Sequence, residues 1–180
     1  MRHPSYQFNY CPICGARAFV ENNEKSKRCE SCGFVYYFNP SAAVACFIRD
    51  EEGRLLLVRR GKEPARGTLD LPGGFVDMRE SGEQAARREV EEETGLAIDH
   101  CRYLFSLPNI YPYSGFEVHT LDLFFECHVK SFDPARAADD AAAIELRYPE
   151  ELDAAAFGLD SIRRAVPIYQ RMLKEGKLEG

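Results

Sequence analysis

The chain has 180 residues, 45% of them hydrophobic, enough for one sizeable core and a small satellite module. Its formal charge of −6 argues against an indiscriminate nucleic-acid coat. A phosphate-bearing ligand stays open, because bound cations can reverse a local field. Met1-Arg2-His3-Pro4 has no signal-peptide character, and the strongest apolar run, Ala42 to Ile48, is too short to span a bilayer. A cytoplasmic protein with no membrane partner is therefore expected.

The first forty residues stand apart from the rest. They hold Cys11-Pro12-Ile13-Cys14-Gly15 and Cys29-Glu30-Ser31-Cys32-Gly33, two short knuckles with a small hairpin expected between them. The spacing C-x2-C-x14-C-x2-C lets four thiolates surround one cation tetrahedrally. Structural Zn²⁺ on Cys11, Cys14, Cys29 and Cys32 is favoured over a redox pair, which would need only one such repeat. A closed four-cysteine site stabilises rather than catalyses. Lys25, Lys27 and Arg28 form a weak basic patch that a solvated loop explains equally well. A part in subunit packing, as in a homodimer, or in site architecture is favoured over nucleic-acid contact. Cys46, Cys101 and Cys127 lie in apolar surroundings and read as core.

After Asn39-Pro40 the texture becomes strand-like. Ala43 to Ile48 and Arg54 to Arg59 flank Asp50-Glu51-Glu52-Gly53, a hairpin turn. Gly61 to Thr68 reads as loop and Leu69 to Leu71 as a short strand ending at Pro72-Gly73-Gly74. Glu80 to Thr94 reads as helix, with Ala85, Ala86 and Val90 as its apolar stripe and Gly95 as its cap. Cys101 to Leu107 is an expected strand, Pro108 to Gly115 a loop rich in Tyr and Pro, and Val118 to Val129 a further strand. A short strand is expected near Ile144 to Tyr148, and a closing helix over Asp160 to Lys174, weakened at Pro167.

The chemistry concentrates on the first helix. Glu89, Glu92 and Glu93 are related by i+3 and i+4, so their carboxylates share one face. Without a cation they repel. Mg²⁺ prefers oxygen ligands and often bridges carboxylates to phosphates. An exposed acidic face is the competing explanation, and geometry alone leaves the two level.

The stretch Gly74, Glu80, Arg88, Glu89, Val90, Glu92, Glu93, Gly95 and Leu96 resembles the signature of the Nudix hydrolases, G-x5-E-x7-R-E-U-x-E-E-x-G-U with U a bulky aliphatic residue, with every spacing intact. The resemblance implies an α/β/α sandwich on a mixed sheet, here an expected domain over 39–180 preceded by a zinc ribbon over 1–38. It implies an enzyme that hydrolyses a nucleoside diphosphate linked to another group, using Mg²⁺ or Mn²⁺. Carried over residue by residue, Glu89, Glu92 and Glu93 match the metal ligands, Glu80 a supporting glutamate, and Gly74 a position whose backbone neighbourhood offers an oxygen. Arg88 matches an arginine that orients the glutamates. Glu93 is the first candidate for general base; Asp139, Asp140 and Glu145 are candidates on a later loop.

The ribbon-plus-Nudix arrangement resembles the NADH pyrophosphatase branch, which carries an S-Q-P-W-W-type array after the signature. Here the stretch reads Ser106-Leu107-Pro108-Asn109-Ile110-Tyr111, keeping the serine and proline but not the glutamine or tryptophans. ADP-ribose is the leading substrate class, NADH or NAD the alternative, and a non-catalytic nucleotide sensor a third reading. Tyr111, Tyr113 and Phe116 are candidates to stack on a base, Asn109 to bond its edge, and Arg59, Arg60, Lys62 and Arg66 to meet phosphate.

Overall fold

The computed structural model describes residues 4–137 and 141–178. Strands β1 (Phe19–Asn23), β2 (Ser26–Cys29) and β3 (Val35–Tyr37) make a small antiparallel sheet in the order β1-β2-β3. The hairpin between the two cysteine knuckles is thus present, and a third strand follows the second knuckle. Lys27 is buried rather than solvated. Its ammonium donates to the Ser5 carbonyl at 3.4 Å and to the Phe8 carbonyl, and lies 5.6 Å from the centre of the Phe19 ring. Lys27 therefore ties down the N-terminal residues and is no part of a basic surface.

The larger sheet contains β4 (Ser41–Arg49), β5 (Leu55–Arg60), β6 (Leu69–Asp70), β7 (His100–Tyr113), β8 (Phe116–His128) and β9 (Ala141–Arg147). Its order is β6-β5-β4-β8-β7, with β9 paired to β5. The β4–β8 pair is parallel and the other pairs are antiparallel, so the sheet is mixed. Helix α1 (Gly82–Thr94) covers one face over Val44, Cys46, Ile48, Phe125 and Cys127. Helix α2 (Asp160–Lys174) covers the other over Ala45, Phe47, Leu57 and Phe124. The result is an α/β/α sandwich. Among the described residues no helix is long and apolar enough to cross a membrane.

The segment expected as a Tyr/Pro loop is instead the second half of β7, paired with β8 from Pro108↔Leu121 to Tyr113↔Phe116. β7 is an edge strand, which is where proline is tolerated. Pro108 and Pro112 are four residues apart and so share one orientation in the ladder, their missing N–H groups facing away from β8. The Pro108 carbonyl also points outward and accepts from the Arg164 guanidinium. α2 continues through Pro167, since burial of Ile162, Ala165, Val166 and Tyr169 outweighs one lost helical hydrogen bond. Cys46 and Cys127 are buried as core residues, whereas Cys101 is only half-buried, its Sγ 3.6 Å from that of Cys127.

One irregularity of the sheet positions the site. β5 pairs with β4 only at Ile48↔Leu56 and Arg49↔Leu55. Further along β4, residues 72–76 take the vacated edge: Cys46 N–H donates to Pro72 O at 2.9 Å, Val44 N–H to Gly74 O at 2.8 Å, and Val76 N–H to Ala42 O at 3.0 Å. This inserted segment passes directly beside the end of α1.

Candidate active site

Helix α1 starts and stops on local signals. Ser81 Oγ accepts from Gln84 N–H at 3.2 Å, Gln84 Oε1 accepts from Ser81 N–H at 2.8 Å, and Gly95 closes the helix with φ of 71°. Its last turn carries Glu91, Glu92 and Glu93 and no basic residue. Acidic groups at a helix C-terminus oppose the macrodipole, so the turn is electrostatically poor unless a cation sits nearby.

Arg88 lies at the centre of the acidic group. Its Nε and Nη2 donate to the two Glu80 oxygens, both at 2.9 Å, Nη1 to Glu89 at 2.8 Å and Glu92 at 3.0 Å, and Nη2 also to the Phe75 carbonyl at 3.0 Å. These bonds hold the guanidinium well above its ordinary pKa, Glu80 first among them. The same bond from Arg88 draws the Glu80 carboxyl below its usual range. Glu89 moves the other way, its carboxyl raised by burial against the pull of Arg88. Glu93 is 9% exposed and accepts from Gly73 N–H at 3.1 Å.

The two glycines serve different contacts. A Cβ on Gly73 would sit 2.1 Å from Val44 O, so only glycine lets this backbone lie against β4. A Cβ on Gly74 would sit 2.5 Å from Glu89 Oε1. The Gly74 carbonyl faces β4, taken by Val44 N–H, because residues 72–76 run as a strand-like segment there. Gly74 thus makes room for the Glu89 carboxylate, while its carbonyl accepts from β4.

Beside Glu93 opens a cleft of about 420 Å³ whose lining includes Gly73, Gly74, Phe75, Arg60, Asn109, Tyr111 and Tyr113. Asn109, Tyr111 and Tyr113 alternate along β7 and so share one side of it. Tyr111 meets Phe75 edge-to-face at 5.9 Å and stacks near Tyr113 at 6.5 Å. Phe116 turns away to pack edge-to-face on Phe8 at 5.5 Å. Arg60 donates to Asp70 at 2.5 Å, to Pro64 O at 2.7 Å and to the Tyr111 hydroxyl at 3.4 Å. Burial raises the Asp70 carboxyl, and Arg60 works against that rise.

Arg59 lies elsewhere. Neighbours on a strand project to opposite sides. Arg59 pairs with Glu145 and donates to Gly67 O at 2.5 Å, lining a separate depression that Glu145 also lines. Neither residue borders the cleft of Glu93. Asp139 and Asp140 lie outside the described residues. Asp70, Thr120, Asp122 and Ser161, none of them a site candidate in the sequence, are drawn to the inner end of the cleft or its hydrogen-bond network.

In the small sheet the four sulfurs of Cys11, Cys14, Cys29 and Cys32 lie within 4.8 Å of one another. Cys11 and Cys32 are 3.7 Å apart, Cys14 and Cys29 3.6 Å. Thiolates about 2.3 Å from one tetrahedral cation are roughly 3.8 Å apart, whereas a disulfide needs about 2.05 Å. Ile13 N–H reaches Cys11 Sγ at 3.4 Å and Cys32 N–H reaches Cys29 Sγ at 3.5 Å. The donor set fits a closed zinc site.

Comparison with known proteins places this geometry in context. The NUDIX domain model matches residues 39–171. A NAD-capped RNA hydrolase, NudC of Vibrio cholerae, is 26% identical over 165 residues, covering 92% of this chain and 55% of its own length. The chain thus spans about half the length of the curated relatives it matches. Among solved structures, a NUDIX hydrolase from Nitrosomonas europaea aligns with a TM-score of 0.72 at 22% identity, covering 93% of each chain. The NUDIX domain of Shewanella oneidensis NrtR, complexed with ADP ribose, aligns with a TM-score of 0.60 at 18% identity, covering 75% of this chain and 89% of its own. With the family model spanning most of the chain, the protein belongs to the Nudix family.

Proposed function

We propose that the chain hydrolyses the diphosphate linkage of a nucleoside diphosphate derivative such as ADP-ribose, in a site formed by the end of α1 and the cleft beside it. The observation that carries this reading is that one turn of α1 holds Glu89 and Glu92 on Arg88 while Glu93 borders a cleft walled by Phe75, Tyr111 and Tyr113. Their oxygens are hard donors, and one guanidinium, that of Arg88, is shared among Glu80, Glu89 and Glu92, which leaves acidic charge that fits a hard divalent ion. Mg²⁺ or Mn²⁺ held there supplies neutralisation of the diphosphate and a water made acidic by coordination.

The chain's own residues then divide the work. Glu89, Glu92 and Glu93 are the ligands, and Glu80 supports them through Arg88. Arg88 keeps like charges from splaying apart, with two edges of its planar fork in use. Glu93, buried and held by Gly73 N–H, is the proposed acceptor of the water's proton. Tyr111 and Tyr113 offer aromatic faces for a base, and Asn109 an edge contact. Structural Zn²⁺ in the 1–38 module completes the metal complement, with the hydrolase unit over 39–180.

NAD or NADH is the second reading, supported by a match to NudC that runs through the cysteine module as well as the hydrolase domain. That relative's name also keeps an NAD-capped RNA end among the proposed substrates. Leu107 and Asn109 weigh towards ADP-ribose, since they stand where the NADH-type array has other residues. A Mg²⁺-dependent product screen over ADP-ribose, NADH, NAD⁺, NAD-capped RNA and nucleotide sugars separates these. Turnover confined to diphosphate linkages is expected. Tight binding with no turnover of any member would favour a sensor.

A further inference from the structure

The inner end of the cleft contains a closed polar group with no part in the hydrolytic step. Asp122 is buried, as are Asn109, Thr120 and Ser161. Asp122 Oδ1 accepts from Thr120 Oγ1 at 2.6 Å. Asp122 Oδ2 accepts from Ser161 Oγ at 2.5 Å and from Asn109 Nδ2 at 3.1 Å. Three donors from β7, β8 and α2 thus converge on one carboxylate.

This convergence fixes proton directions. A carboxylate only accepts, so Thr120 and Ser161 spend their single hydroxyl protons on it. The Asn109 amide has only one orientation that satisfies Asp122, with its NH₂ inward. Its Oδ1 is thereby turned away from Asp122. One amide hydrogen apart, the three members that line the cleft, Asn109, Thr120 and Asp122, have only lone pairs left to offer, with Ser161 behind them. Such a wall repels phosphate and accepts from a donor. The aromatic faces of Tyr111 and Tyr113 lie on the same side of β7, Tyr111 roughly 7 Å along the strand from Asn109. A ring stacked on Tyr111 brings its substituents towards that wall.

We propose that Asn109, locked by Asp122, reads an exocyclic amino group on the substrate's ring and selects it over a carbonyl or methyl group at that place. Asn109 is then a specificity-determining residue and Asp122 a positioning residue. The inference rests on the cleft being the substrate site. The amino group has two sources, a 6-aminopurine or a nicotinamide carboxamide, and paired substrates distinguish them. ADP-ribose is compared with its inosine counterpart, and NAD⁺ with its 3-acetylpyridine counterpart, in which methyl replaces the amide NH₂.

The amino member of at least one pair should be preferred about tenfold or more in kcat/KM, the scale of one good hydrogen bond. Discrimination in the purine pair identifies the base as adenine, and in the pyridine pair as nicotinamide. In Asp122→Asn the new amide donates to Asn109 Oδ1 and releases the lock, so the preference should collapse or invert. Asn109→Leu should erase it, and serves alone if circular dichroism shows that Asp122→Asn does not fold. A structural role would slow both members equally, so an unchanged ratio in folded variants overturns the proposal, as does equal use of both pairs by the unmodified chain. If the chain turns over none of these compounds, the hydrolytic reading fails separately. Calorimetric affinities for AMP against IMP, and for nicotinamide against 3-acetylpyridine mononucleotide, then decide the inference, equal values in both comparisons refuting it.

Discussion

Alanine at Gly73 and at Gly74 should separate stability from catalysis at adjacent positions. At Gly73 the new Cβ would meet backbone, 2.1 Å from Val44 O and 2.9 Å from Ala45 Cα, and neither atom can yield without moving β4. Relief requires residues 72–76 to lift, which gives up the bonds from Val44 N–H and Cys46 N–H. At about 1 kcal/mol net per bond, with some lost packing, Gly73→Ala should cost about 2–4 kcal/mol. For a domain of this size that is a fall in Tm of roughly 4–16 °C. At Gly74 the Cβ would meet only the end of the Glu89 side chain, 2.5 Å away, which can swing aside. The Arg88–Glu89 pair is partly exposed, so its loss should cost less than about 1 kcal/mol. A ligand displaced by about 1 Å, however, can cost on the order of 100-fold in rate. Thermal unfolding by circular dichroism and Mg²⁺-dependent ADP-ribose hydrolysis, measured on both variants, test this. A Gly74→Ala variant with undiminished kcat would refute the role given to Glu89. A Gly73→Ala variant that melts with the unmodified protein would refute the backbone clash.

Arg88→Ala should lower activity by at least about tenfold, and Arg88→Lys should fail to restore it, because a point charge cannot reproduce a fork that bonds Glu80, Glu89 and Glu92 together; steady-state kinetics of both variants decide this. Acidification should act on two carboxyls with opposite sign. Glu80 has its carboxyl lowered by Arg88, so its stabilisation is present above the ordinary glutamate pKa of 4.5 and is lost as pH falls through its lowered value. Glu89 has its carboxyl raised by burial, so it takes up a proton while pH is still above 4.5, and Mg²⁺ affinity measured by calorimetry should weaken from there downward. Zinc measured by mass spectrometry should be near one per chain, and Cys32→Ala should abolish it while leaving the melting of the larger unit in place.

Much of the site was legible because its signals are local. The stripe of Ala85, Ala86 and Val90 and the Gly95 cap define α1 within one stretch of chain, although its start falls at the Ser81 cap and not at Glu80, and the cysteine knuckles repeat at short range. The second half of β7 was hidden because Pro108 and Pro112 signal loop, and only their place on an unpaired edge makes them compatible with a strand. β3 is three residues long and carries no periodicity to detect. Arg59 and Arg60 were indistinguishable as letters, and the direction each projects depends on the register of β5 with its neighbours. Of the Asp122 network only Asn109 stands out in the sequence, because its members come from β7, β8 and α2 and meet only in the folded chain. Lys27 read as a surface charge because nothing in its own stretch announces the carbonyls of Ser5 and Phe8.

The claim on which the rest depends is that the carboxylates at the end of α1 carry hydrolysis of a diphosphate. Mg²⁺-dependent hydrolysis of ADP-ribose by Glu92→Gln/Glu93→Gln tests it most directly, with unchanged circular dichroism and zinc content as controls. Loss of the several kcal/mol that a held divalent ion supplies should reduce kcat on the order of 10³-fold or more. Turnover equal to that of the unmodified chain would contradict the account.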